Sequence, residues 1–395
     1  MLNFGRYPVK AVNVALIEPV GSHGGMDYYD SGLCGGLASN GVPVTWYTCD
    51  VSEPCGSIAF EVKRPFERIW GKEPAWKRGL RYVRGLFSTM HDARARKASI
   101  AHFHFFHVGP LEALGVMLAR LYGLKAVATI HDVEAFKPGL TSTSLRDLTY
   151  RLCARLIVHN RVSRDELISR CQVSAAKIRV IPHGSYLGLI APAMDRNLAR
   201  DTLGLPQDEK VVLFFGQIKE VKGLDLLIEA FGKHREAMAP VHLVIAGKVW
   251  KDDFARYQAL IDQYGLGDFC HLHIRYIPDD ELSTFYSAAD LIALPYRRIY
   301  QSGVLLMAMS FGVPVLASDL PGMKEIITDG ENGFLFGAGD ADLLGKQLVQ
   351  VLSATPDVGK VVAQASADMQ SKFSWKTIAA QTLFAYKELL MVEKV

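Results

Sequence analysis

Long hydrophobic runs are missing from this 395-residue sequence. The longest, such as 211–216 and 241–247, fall far short of the roughly 20 apolar residues that a membrane-crossing helix needs. The N-terminal residues carry a little positive charge and one short apolar run, but no small-residue cleavage site. No signal peptide is therefore expected, and the run reads as a first strand. Cysteine is sparse: Cys34, Cys49, Cys55, Cys153, Cys171 and Cys270 are scattered, with no close metal-like pair. They are expected to be free thiols in a reducing cytoplasm. A strong charge of either sign is also lacking, the formal net charge being +3. The dinucleotide fingerprint G-x-G-x-x-G is missed as well, because the loop after the first strand carries Gly21 and then Gly24 and Gly25. What is there is 49% apolar and 22% charged, a globular composition, over a length that suggests two or three domains.

Short β-branched apolar runs alternate with helical stretches. Strands are expected at 12–17, 42–48, 100–106, 126–130, 156–158 and 178–181, with helices such as 28–39 and 110–122 between them. After a polar, Ala- and Pro-containing linker at 185–208 the pattern restarts, with strands at 211–215, 242–246, 271–274, 291–294, 313–317 and 333–336 and helices such as 224–233 and 280–288. This alternation gives parallel sheets covered on both faces. The expected fold class is α/β, with two doubly wound Rossmann-like domains facing a cleft: an N-terminal domain at 1–185, a C-terminal domain at 186–372, and a last helix, roughly 375–393 within 373–395, packing back on the first domain. Ligands of such sheets bind beyond the carboxyl ends of the strands, so the loops after strands carry the chemistry.

One charge asymmetry stands out. Residues 63–97 hold eleven Lys and Arg against three Asp and Glu, together with Phe66, Trp70, Trp76, Tyr82 and Phe87. Cations mixed with large rings suit an anionic membrane interface. An ordinary solvated helical pair with its rings on the core accounts for the same residues. No recognition motif supports nucleic acid.

Four loop segments carry candidate residues. In the first, Gly24 and Gly25 precede a helix, where the backbone can approach a ligand and free N–H groups can meet an anion. A plain tight turn fits too, and Asp50 after the second strand keeps a nicotinamide site open. In the second, His131 and Asp132 end a strand. His131 can hydrogen-bond a sugar hydroxyl, with Asp132 fixing its tautomer or simply capping the next segment. The third opens the second domain: Gly216 and Gln217 lead through a basic loop to Lys222 and Gly223 at a helix start. An ammonium beside free backbone N–H groups suits a diphosphate, whereas Lys219 reads equally as a solvated loop charge. In the fourth, Gln301, Ser302, Gly303 and Val304 form a turn in which Ser302 caps a helix aimed at the same phosphates. Glu325 closes a PGMKE segment after the next strand.

Together these segments resemble glycosyltransferase family 4, with its GT-B fold. The resemblance runs from the Gly24-Gly25 loop through His131 and Asp132, the IPHG of 181–184, Gly216 with Lys222 and Gly223, the YSAAD of 286–290 and the GVPVLAS of 312–318 to the DGENG of 329–333. It implies that the first domain holds the acceptor and the second the nucleotide sugar, with no cofactor and no divalent metal. Basic side chains and helix dipoles then stabilise the leaving diphosphate, and the anomeric configuration is retained. The nucleotide is expected near Arg275 and Ile277 and the Ser302 turn. Its diphosphate would lie between Lys222 and the helix starts at Gly223 and Gly303, with the sugar toward His131 and the Gly24-Gly25 loop. Two departures mark a divergent branch. Gln217 stands where the family often has Arg, a charge for which Lys219 or Arg275 are the substitutes. The family's Glu-x7-Glu pair falls on Ile299 and Met307, neither of them acidic.

The expected function is transfer of a sugar from a UDP- or GDP-sugar to a glycan or polyprenyl-diphosphate-linked acceptor, in bacterial polysaccharide or glycoconjugate assembly. The expected location is cytoplasmic, peripheral on the inner face of the plasma membrane through 63–97. The rivals are a GT-B protein that does not transfer between sugars (an epimerase using Glu325, or a phosphorylase), a donor-binding scaffold, and a nicotinamide oxidoreductase.

Overall fold

The computed structural model describes residues 11–21, 25–133, 143–238, 240–353 and 357–391. The chain divides into two compact units, Met1–Gly184 with Lys372–Val395, and Ser185–Ser371. Both are built on parallel sheets.

The first unit carries β1 (Val14–Ile17), β2 (Val44–Cys49), β3 (Glu61–Phe66), β4 (Ile100–Phe105), β5 (Lys125–Ile130), β6 (Arg155–Val158) and β7 (Ile178–Val180). Their order across the sheet is β3-β2-β1-β4-β5-β6-β7. β1, β2, β4 and β6 are buried along their whole length, as expected of strands covered by helices on both faces. β3 departs from the expectation of a helical pair over 63–97. The segment opens as an edge strand, and only Ala75–Ala95 is helical. EVKRPF carries charges and a proline, and an edge position tolerates both because one side of the strand stays unpaired.

The terminal helix Trp375–Leu390 belongs to this first unit. Its Ser374 cap accepts from Thr377 N at 3.2 Å. The helix docks on Met26–Ser39 through glycines: a Cβ on Gly32 would stand 2.0 Å from the Trp375 ring, and one on Gly36 2.4 Å from Trp375 O. Gly184 meets the same ring from β7's side, at 2.4 Å. Only residues without a side chain permit this approach.

The second unit carries β8 (Lys210–Phe215), β9 (Val241–Ala246), β10 (Cys270–His273), β11 (Leu291–Leu294), β12 (Val315–Ser318) and β13 (Phe334–Phe336), in the order β10-β9-β8-β11-β12-β13. Chain direction across the sheet therefore reverses between β8 and β11, as it does between β1 and β4 in the first unit. Such switch points leave a crevice at the carboxyl ends of the strands. At the opposite end of the second sheet, Asp290 of the YSAAD segment has a structural task. It accepts from the fully buried Arg200 at 2.6 Å and from Val211 N at 2.7 Å. Arg200 also donates to the carbonyls of Pro206, Gln207, Glu209 and Ala288. The linker helix Arg196–Leu203 is thereby clamped to the sheet.

Candidate functional site

At the switch point of the second unit the loops after β8 and β11 touch. β8 closes at Gly216 (φ +107), and the chain passes through exposed Gln217 to a short turn, Glu220–Lys222, and Gly223 (φ +67). A Cβ on Gly223 would lie 1.9 Å from Pro295 O, directly after β11. Glycine is thus required twice over, for its left-handed backbone and for this approach. The approach sets Lys222 beneath Tyr296: its Nζ lies 3.7 Å from the ring centroid. Lys222 is 9% exposed, and its ammonium has no hydrogen-bond acceptor or carboxylate among the described residues. Burial pulls the amine down to about 7.

The Tyr296 hydroxyl stands 3.5 Å from Ser302 Oγ. Ser302 in turn accepts from Leu305 N at 3.2 Å, capping the helix Gly303–Ser310. Val304 closes the ring of contacts, since a Cβ on Gly216 would stand 3.4 Å from its Cγ2. Gly216, Lys222, Gly223, Ser302, Gly303 and Val304 therefore meet at one end of one sheet, with half-buried Gln301 beside them. Tyr296, which sequence reasoning did not single out, joins Lys222 to the Ser302 turn. A desolvated cation without a counter-ion, next to the free N–H groups of a helix start, is built to receive an anion.

Other candidates lie further out. Arg275 is exposed and engages Glu281 through both carboxylate oxygens. Its charge is matched by that partner, which holds the guanidinium pKa up. Ile277 is buried in the segment after β10. Lys219 is half-buried. Glu325 is exposed at the end of the short helix Pro321–Lys324, which abuts the loop after β11: a Cβ on Gly322 would lie 2.5 Å from Tyr300 O.

In the first unit Gly25 (φ +84) opens the helix Met26–Ser39, while Gly24 lies outside the described residues. His131 follows β5 and is half-buried. It heads a layer of imidazoles along the carboxyl ends of neighbouring strands. His104 Nδ1 sits 3.1 Å from His131 Nε2, and Phe106 stacks on His131 at 4.7 Å between centroids. Tyr29 presents its ring edge-on to His104, His131, His159, His183 and Trp375 at 4.9–5.4 Å. Burial, with neighbouring histidines, holds His104 and His131 well below the usual imidazole range, and pulls His159 to about 3 and His183 to about 4. The layer is neutral at physiological pH. Behind it, Asp30 is wholly buried, 3.7 Å from His104 Nδ1, and burial with the charges of Glu18 and Asp27 raises its carboxyl. His104, His159 and Asp30 were not foreseen, and His183 was named only within the IPHG motif, although three of the signals were legible: a histidine closes or follows β4, β6 and β7 as it does β5.

Residues 23–185 match the family described as Glycosyltransferase Family 4, and residues 195–366 the family described as Glycosyl transferases group 1. The D-inositol 3-phosphate glycosyltransferase of Segniliparus rotundus is 26% identical over 391 residues, covering 94% of this chain and 86% of that protein. Sucrose-phosphate synthase from Thermosynechococcus elongatus superposes with a TM-score of 0.72 at 23% identity, covering 96% of this chain and 99% of the other. Anabaena Alr3699/HepE in complex with UDP-glucose superposes at 0.67 with 18% identity, covering 94% and 99%. Two matched families that span most of the chain, and a fold shared along nearly its whole length, agree with the site geometry: the chain is a glycosyltransferase of the family 4 type, with the GT-B fold.

Proposed function

We propose that the second unit binds a UDP- or GDP-sugar, with its diphosphate on Lys222 and the helix starts at Gly223 and Gly303, and that the sugar passes with retained configuration to a hydroxyl of a glycan or polyprenyl-diphosphate-linked acceptor held by the first unit. The observation that carries this reading is the Lys222 ammonium, buried over Tyr296 and without a counter-ion among the described residues. Complexes of the structural neighbour Alr3699/HepE with UDP and with UDP-glucose support the donor class.

In the reaction the bond between the anomeric carbon and the diphosphate oxygen breaks, and the acceptor oxygen forms the new bond from the same face. Negative charge grows on the leaving oxygen. Lys222 and the helix N–H groups are already oriented toward it and need no reorganisation, which is the condition under which such groups lower a barrier. They take the part a divalent cation plays elsewhere. The departing phosphate accepts the acceptor proton. His131, neutral and braced by His104, donates to or accepts from a sugar hydroxyl without adding charge. A lipid-linked acceptor places the enzyme at the inner face of the plasma membrane, in assembly of a bacterial surface polysaccharide or glycoconjugate.

A thermal-shift panel of UDP-, GDP- and ADP-sugars tests the donor assignment, because a ligand that binds only the folded state raises its melting temperature. One of the first two is expected to stabilise the protein, and to lose that effect in Lys222→Met. Stabilisation that survives the substitution would remove Lys222 from the site.

A further inference from the structure

The basic aromatic stretch is not absorbed by the chemistry above, and the structure sorts its residues into two sets. One faces inward or is neutralised. On the helix Ala75–Ala95, Tyr82, Gly85, Leu86, Thr89, Met90 and Ala93 are buried. Lys63 and Arg96 pair with Asp92, Arg96 also with Glu61, and Arg68 and Arg81 share Glu73. The acids are thus largely spent on cations of the same stretch, with exposed Glu67 outside the pairs.

The other set faces out. Trp76 (68% exposed), Leu80, Arg84 and Phe87 recur at steps of four, four and three residues, one stripe of a helix. Trp70 is half exposed beside them in sequence. Lys72, Lys77 and Arg84 are exposed and have no ion-pair partner among the described residues. Lys77 leans over the Trp76 ring at 5.6 Å.

We propose that this stripe docks the first unit on an anionic lipid bilayer, with Trp76, Leu80 and Phe87 at headgroup depth and Lys72, Lys77 and Arg84 on the lipid phosphates. Charge complementarity selects this occupant. Protein interfaces deplete lysine at their centres, whereas anionic headgroups attract unpaired cations, and indole rings settle where apolar and polar layers meet. At 21 residues the helix has the length of a membrane span but is too charged to be one, so it lies in the interface plane. Trp70, just ahead of the helix, donates from Nε1 to Val20 O at 2.8 Å, on the loop after β1. The inference rests on a lipid-linked acceptor for its purpose, but not for its test.

The full chain is mixed with phosphatidylglycerol-containing vesicles and with pure phosphatidylcholine vesicles at low and physiological salt, and bound protein is read by cosedimentation and by the blue shift of tryptophan emission. Binding to the anionic vesicles alone is expected, weakening as salt rises. The triple variant Lys72→Glu, Lys77→Glu, Arg84→Glu is expected to bind at least roughly a hundredfold more weakly, at about fivefold per cation removed. Trp76→Ala with Phe87→Ala is expected to lose the blue shift. All five residues are exposed, and nucleoside-diphosphate binding in each variant confirms the fold. Absence of vesicle binding at low salt, binding indifferent to the triple substitution, or self-association of the lipid-free chain through these residues would each overturn docking. Donor binding intact in those cases would leave the transfer reading standing.

Discussion

With the donor diphosphate on Lys222, as proposed, binding becomes a proton-linked event. Burial holds its amine at about 7 in the free protein, whereas a bound diphosphate returns it to the charged form well above that value, because an anion at hydrogen-bond distance favours the ammonium. Above pH 7 the free protein must take up a proton to bind. The phosphate groups themselves finish ionising near pH 6 and do not interfere. Linkage then predicts that the dissociation constant of UDP rises about sixteenfold between pH 7 and 8.5, and that binding at pH 8 takes up about 0.9 proton. Isothermal titration in buffers of different ionisation enthalpy reads both quantities. The sign for stability runs the other way from an ordinary paired lysine. Its folded value lies below the unfolded one, so the cost is fully present below pH 7 and fades as pH rises toward 10.5. At pH 7 that cost is about 4 kcal/mol. Lys222→Met should therefore stabilise the ligand-free protein by up to about 4 kcal/mol, seen as a melting temperature several degrees higher, while abolishing the pH dependence of UDP binding. An affinity flat from pH 7 to 8.5, or a slope unchanged in Lys222→Met, would refute the reasoning.

Further substitutions probe the frame around the site. Gly223→Ala should cost at least about 2 kcal/mol, from a left-handed backbone and a clash with Pro295 O, and should weaken UDP binding by displacing Tyr296; urea denaturation and titration report the two effects. Asp290→Ala strands the buried Arg200 guanidinium and should destabilise by about 3 kcal/mol, with little effect on donor affinity if the protein is assayed well below its midpoint. Trp375→Ala empties the space between Gly32, Gly36 and Gly184 and should cost about 4 kcal/mol. Its signature is faster hydrogen exchange confined to the terminal helix and Met26–Ser39. Uniform loss of protection across both units would contradict the division of the chain.

The strands buried on both faces were legible because they are compact apolar runs, several of them followed directly by a glycine, histidine or proline turn. β8, with KVVLFF ahead of Gly216, is the plainest case. β3 was not, since EVKRPF has the composition of a loop and is a strand only because β2 offers it an edge. The geometry of the loop around Lys222 was legible for a physical reason: glycines that must approach another backbone and a lysine at a helix start leave a local signature. What those glycines approach is non-local, so Pro295 and Tyr296 stayed hidden until β8 and β11 were seen side by side. The imidazole layer failed for the same reason. His104, His131, His159 and His183 are far apart in sequence and become neighbours only through the parallel register of β4 to β7. The charge of 63–97 was read as one block, whereas folding cancels much of it in pairs with Glu61, Glu73 and Asp92.

The central claim is that a pyrophosphate sits at the switch point of the second sheet. A crystal of the protein grown with UDP reads this without any assay. The account predicts a phosphate oxygen about 3 Å from Lys222 Nζ, with a second phosphate group on the N–H groups at Gly303 and Val304. Ordered diphosphate elsewhere, with Lys222 still bare over Tyr296, would contradict it.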